Sequence, residues 1–271
     1  MSASEDGAAM FARYAYPPNE LGYCGPPSAI PYDARFTGES AVRLARRFAG
    51  AWCYLQTIAF ATGYANPLDR AIVEAYWLGG PLLEQVDGEL FAKALSEQFR
   101  GQHGARMAGL ADGTARAHHG FHVFEVYPWS GMLEHTEGPA LTILDNCRIR
   151  WGTVIGLDGD RASVLSKPLC WDGAHLHLGQ ERVERPRWRQ WESALVAGLA
   201  EGDEVALHWD WVCDRLGPEQ LEALRDGTEA QLRRTSRAIA AQDGRMRRSE
   251  SRPVAASSRS DSGISRVARF G

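Results

Sequence analysis

The apolar residues of this chain change their spacing near residue 147, and that change limits the folds open to it. Between Ser40 and Phe99 they recur every three to four residues, as on the buried stripe of a helix. From Cys147 onward they alternate, as on a half-buried strand. A helical half followed by a stranded half predicts the α+β class, not the interleaved strands and helices of a parallel sheet.

In the helical half, Val42, Ala45, Phe48, Trp52, Leu55, Ile58 and Ala59 predict one core helix from Ser40 to Thr62. Asn66-Pro67 supplies a cap and a first-turn proline for a second helix, running through Ile72, Val73, Tyr76 and Trp77 until Gly79-Gly80-Pro81 bends or breaks it. Asp87 caps a third helix through Phe91 and Leu95, ending near Gly101. The Pro-, Gly- and Tyr-rich stretch from Tyr14 to Asp33 reads as a loop, and so does Gly104 to Arg116. The run from His118 to Trp129 is ambiguous: Gly120 and the β-branched residues favour an extended chain, whereas its place after helices favours a helix.

In the stranded half, Asp158-Gly159 and Asp172-Gly173 are tight-turn dipeptides. Strands are predicted near 147–157, 160–167, 174–178, 181–187 and 204–210, closing into a small β-barrel. Pro218 then opens a helix through Leu221, Leu224 and Leu232. The predicted units are an α-helical domain over 1–143, the barrel with its helix over 144–241, and a disordered Ser/Arg-rich tail over 242–271.

Composition narrows the function classes. The formal net charge of -4 hides an acidic body and a basic tail, since ten arginines fall after Leu232, so a nucleic-acid-binding face is not expected. Phosphate-binding loops of the GxxxxGK[ST] or GxGxxG kind and a GxSxG nucleophile elbow are absent. No apolar run reaches the ~18 residues of a membrane span, and the start lacks a signal-peptide pattern, so a cytoplasmic location is expected. Five widely spaced cysteines without a CxxC argue against a disulfide framework or a zinc ribbon and for reduced thiols.

Two constellations carry metal chemistry. Cys147 and His208, brought together by a small barrel, would give a thiolate and a neutral imidazole, both good ligands for a soft or borderline metal, with Trp209 and Trp211 excluding water. The competing reading is a buried free cysteine and a hydrogen-bonded strand histidine. The second constellation is His118, His119 and His122, of which the first and last share a face in a helix or in a strand. Glu125 would be a further ligand or base, and Cys24 a soft ligand from elsewhere. Its competitor is an aromatic core segment with polar edge histidines.

The order Cys147, Gly152-Thr153-Val154, Leu157-Asp158-Gly159-Asp160-Arg161-Ala162-Ser163-Val164, Gly202-Asp203-Glu204-Val205-Ala206-Leu207-His208 and a helix after Pro218 resembles the small hydrogenase-maturation chaperones of the HypC/HupF type. The resemblance spans 147–224 and implies an OB-like barrel. It also implies that Cys147 and His208 hold an iron-cyanide-carbonyl unit destined for a nickel-iron hydrogenase, with the large-subunit precursor and other maturation proteins as partners. Cys147 is internal here, unlike the exposed N-terminal cysteine of that family, and 167–190 is longer than its pattern. The N-terminal part resembles an uncharacterised bacterial family, which implies no mechanism. The expected function is therefore an accessory factor of hydrogenase maturation that binds and delivers without turnover. The alternatives are a metalloenzyme using the N-terminal His/Glu/Cys set, with the barrel as fused carrier, and a metal-free interaction module.

Overall fold

The computed structural model describes residues 3–26, 38–98, 113, 115–133, 136–190 and 193–250. It is an α+β chain. Helix α1 (Ala3–Glu20) is followed by α2 (Gly38–Arg46), α3 (Ala49–Thr62), α4 (Arg70–Leu78) and α5 (Gly88–Gln98). The expected helix over 40–62 is two helices, interrupted at Arg47–Phe48. The cap of α4 is Asp69, whose side chain accepts from the Ala71 amide at 3.0 Å, while Asn66 serves the preceding turn through the Leu68 amide. Asp87 caps α5 as expected, accepting from the Glu89 and Leu90 amides. The expected end of that helix near Gly101 lies outside the described residues, as does most of the expected 104–116 loop.

The expected loop from Tyr14 is corrected. Tyr14 to Glu20 are the last turns of α1, although Pro17 and Pro18 lie inside the helix. Proline removes only its own amide, and here the buried stripe of Ala8, Phe11, Ala12 and Ala15 outweighs two missing bonds. The helix lies so close to the start of α4 that a Cβ on Gly7 would run into the Leu68 carbonyl.

After a short α-helical turn, α6 (His119–Phe121), the chain widens into a π-turn, His122–Val126, closed by the Tyr127 amide on the His122 carbonyl. The segment is thus helical and not extended. Helix α7 (Glu137–Cys147) follows. Cys147 ends a helix, where the sequence reading had it open a strand; β1 (Arg150–Asp158) begins three residues later.

Antiparallel strands β1, β2 (Arg161–Ser166), β5 (Arg182–Glu184), β8 (Glu204–His208) and β9 (Trp211–Arg215) form one sheet in the order β5-β2-β1-β8-β9. Short two-stranded ladders, β3 (Leu169–Trp171) with β4 (Leu176–Leu178) and β6 (Arg189–Gln190) with β7 (Ser193–Ala194), sit beside it. The expected barrel is not closed. Beyond β5 the chain meets Pro186, which has no amide to continue a ladder. Only isolated bridges from Arg187 to Arg161 and Trp211 draw the two edges together at one corner. Helix α8 (Pro218–Glu250) carries helical backbone through 242–250, which the sequence assigned to the tail; 251–271 lie outside the described residues. No described helix is long and apolar enough to cross a membrane.

One buried cluster runs from α1, α3, α4 and α5 into β1, β8 and β9, and a second joins α7, the π-turn and α8. Glu20, at the end of α1, pairs with Arg187 at 2.7 Å and accepts from the Trp211 indole at 3.0 Å, which pins the helix to the corner of the sheet.

Candidate metal centre

The geometry of the site starts with a missing amide. Pro18 cannot donate to the Tyr14 carbonyl one turn back, and His208, fully buried on β8, takes its place: Nδ1–H donates to the Tyr14 oxygen at 2.7 Å. That bond fixes the tautomer, so Nε2 carries the lone pair. Among the described residues, the buried Nε2 finds no hydrogen-bond donor. Burial first, and the neighbouring His119 second, hold the ring well below the usual histidine range, so it is a neutral imidazole.

Cys147 is brought alongside by the end of α7, and His119 by the short turn before the π-segment. The His119 Nε2–H donates to the Cys147 carbonyl at 2.9 Å, and the Tyr76 hydroxyl lies 3.5 Å from Nδ1. One ligand atom each from His119, Cys147 and His208 lies within 4.8 Å of the others, and all three residues are buried. Two imidazoles and a sulfur converge, with one nitrogen lone pair that receives no hydrogen bond from the described residues. This is a donor set for a borderline or soft metal. Burial raises the Cys147 thiol well above its ordinary value, and the nearby Cys24 adds to the rise. Metal binding would therefore displace a proton from that sulfur.

The walls are aromatic. Trp77 packs against His119 and His208, with ring centroids 4.7 and 5.8 Å away. Trp209 is the only described non-glycine residue with positive φ, at 51°. It occupies the two-residue turn between β8 and β9, where glycine is the usual choice. The conformation is held from both sides: the Trp209 amide donates to the Asn146 carbonyl at 2.9 Å, and Arg150 donates to the Trp209 carbonyl at 2.7 Å. The same buried guanidinium donates to the carbonyls of Asp145 and Asn146, just before Cys147. The Trp209 indole N–H forms no hydrogen bond of sound geometry, yet its influence on Cys147 favours the thiolate, as expected of a donor facing the sulfur.

The second expected constellation does not assemble. His118 is half-buried and caps the turn, its Nδ1 accepting from the Phe121 amide at 3.1 Å. His122 turns the other way, with Nδ1 2.9 Å from the Tyr54 hydroxyl and its ring against Tyr127. Burial lowers both rings to about 3. Glu125 is buried and accepts from Gln231 at 3.1 Å and Thr235 at 2.7 Å, so it anchors α8. His118 is spent on capping from extended backbone ahead of the turn, and the extra residue of the π-turn, which starts at His122, displaces Glu125 from the position an α-helix would give it relative to the histidines. His119 leaves its sequence neighbours and joins Cys147 and His208. Cys24 is half-buried, its thiol raised to about 12 by burial, in the turn after α1. Sequence reading missed Tyr14, Trp77 and Arg150. The signals that bear on them are a Pro-Pro pair one turn after an apolar stripe, and an arginine at an inward-facing position of β1.

No curated protein and no solved structure matches the chain, so the resemblance of 147–224 to HypC/HupF chaperones rests on its sequence motifs. Residues 3–242 match the model of a family of unknown function, DUF6390, and the chain belongs to that family.

Proposed function

We propose that this protein binds a transition metal at His119, Cys147 and His208 and acts as a carrier in metal-cofactor assembly. The observation that carries the reading is the convergence of three buried donors with the His208 Nε2 lone pair left unsatisfied. Leaving a buried polar atom unpaired costs about 1–3 kcal/mol, and a ligand removes that cost. His208 and Cys147 would supply the first two donors and His119 a third. Trp77 and Trp209 would exclude water, and the Tyr14 carbonyl would hold the His208 tautomer.

Within this reading, the resemblance of 147–224 makes the cargo an iron-cyanide-carbonyl unit and the recipient a nickel-iron hydrogenase large-subunit precursor, in a cytoplasmic maturation system with a HypC-like sheet as the carrier element. The metalloenzyme alternative is the weaker one, because His118, His122 and Glu125 are each engaged by a different partner.

Anaerobic native purification, followed by metal analysis and infrared spectroscopy in the cyanide and carbonyl stretching region, tests the proposal. Iron with those bands, lost in Cys147→Ala and kept in Cys170→Ala, is the expected result. A metal without the bands keeps the centre but removes the hydrogenase cargo. A protein that takes up no metal, natively or on reconstitution, leaves the interaction module.

A further inference from the structure

Three donors would leave one corner of a tetrahedral site free, and the turn after α1 packs against Trp209, which borders the centre. Tyr23 stacks on Trp209 with ring centroids 4.2 Å apart and planes 27° from parallel. Trp209 follows His208 in the chain and belongs to the same buried cluster as Cys147. The stack therefore holds the backbone of Tyr23–Cys24 beside Trp209, the residue next in the chain to the His208 donor. Asn19 fixes the turn from below, its Nδ2 donating to the Cys24 carbonyl at 2.8 Å and to the Pro26 carbonyl at 3.0 Å. Cys24 is a free thiol.

Resting on the metal reading above, we infer that Cys24 supplies a second thiolate to the His119–Cys147–His208 centre and completes a Cys2His2 set for a divalent transition metal, for which cobalt(II) serves as the probe. The unsatisfied, fully buried Nε2 of His208 marks the centre as built for a ligand independently of Cys24. A dication held between two thiolates would turn their mutual repulsion into attraction to the ion. The Cys24 sulfur is not among the atoms lying within 4.8 Å of one another, so the turn must move inward as the fourth bond forms. A donor on a turn held by one aromatic stack and one asparagine can also leave again, which opens the fourth position. Closed, the set has the four-coordinate form of a storage site; open, it has the three-donor form that admits an exogenous ligand.

The test is anaerobic titration of cobalt(II) into the full chain and into Cys24→Ser and Cys170→Ser. The wild type should show sulfur-to-cobalt charge transfer at the intensity of two thiolates. Cys24→Ser should lose half of that intensity and bind about 10- to 100-fold more weakly, with Cys170→Ser unchanged. X-ray absorption at the metal edge of the wild type counts sulfurs without any variant, so a Cys24→Ser protein that fails to fold does not block the result: two sulfurs support the inference and one overturns it. One-thiolate intensity that Cys24→Ser leaves unaltered removes Cys24 and keeps the three-donor centre. Wild type that binds no cobalt removes the centre as well.

Discussion

The Nδ1–H of His208 donates to the carbonyl of Tyr14 across 2.7 Å, joining a strand to a helix 194 residues earlier in the chain. The acceptor is free because Pro18 has no amide. A residue that weakens a helix locally thus sets the protonation pattern of a buried imidazole.

Pro18→Ala restores the amide and lets α1 reclaim the Tyr14 carbonyl, leaving His208 without its orienting partner. Metal affinity should fall at least about tenfold, whereas the melting temperature should drop only modestly, because the regained backbone bond offsets part of the cost of leaving the buried Nδ1–H unpaired. Isothermal titration with zinc and thermal unfolding of the metal-free protein check the two halves separately. Equal affinity for both proteins would show that the tautomer is set elsewhere.

Glu125 serves α8. Glu125→Ala removes the acceptor of the buried Thr235 hydroxyl and one of the two acceptors of the Gln231 amide, which keeps its bond to Thr235 Oγ1 at 3.0 Å, and takes away the carboxylate beside Arg234. Unfolding in urea should show a loss of about 3 kcal/mol. Metal stoichiometry should stay at the wild-type value, since Glu125 is not one of the three converging donors.

Burial lowers His119 to about 4 and His122 to about 3, against an unfolded value near 6.5. The native state therefore binds fewer protons than the unfolded state between those limits. The stabilising effect is complete above pH 6.5 and is lost as the pH falls through the window toward 4 and then 3. For the metal-free protein, each such ring should cost about tenfold in the folding equilibrium per pH unit inside its window. His122→Gln should flatten the acid limb of stability against pH, and an unchanged slope would show that the ring is hydrated.

The legible part of the fold follows from periods and caps. The helical half, the strands around Asp158-Gly159, the break at Gly79-Gly80-Pro81 and the start of α8 at Pro218 all express local chemistry. The Pro-, Gly- and Tyr-rich composition reads Tyr14–Glu20 as a loop, since the buried stripe that keeps it helical depends on distant partners such as Phe48 and Trp77 that no local pattern reveals. Cys147 and His208 were chosen through motif order, but His119 was grouped with His118 and His122 because they adjoin it in the chain. The extended backbone at His118 takes that ring out of the helical face, the π-turn from His122 onward displaces Glu125, and no residue type announces either. Closure of the sheet is equally illegible: the turns and five of the strands are readable, whereas β3, β6, β7 and β9 are not, and how the chain runs on from Arg187 is a matter of tertiary path.

Arg150 has a bearing on how fast the centre could exchange its contents. Its guanidinium holds the Asp145 and Asn146 carbonyls on one side and the Trp209 carbonyl on the other, so Cys147 and His208 ride on a single rigid frame. His119 stands on another element and reaches that frame through one bond to the Cys147 carbonyl. Thermal opening would then separate His119 from a pair that stays together, and an ion would leave by the His119 side. Exchange with a chelator would be set by the hinge of one short turn, and removing Arg150 would convert a caged pair into two loosely tethered ligands.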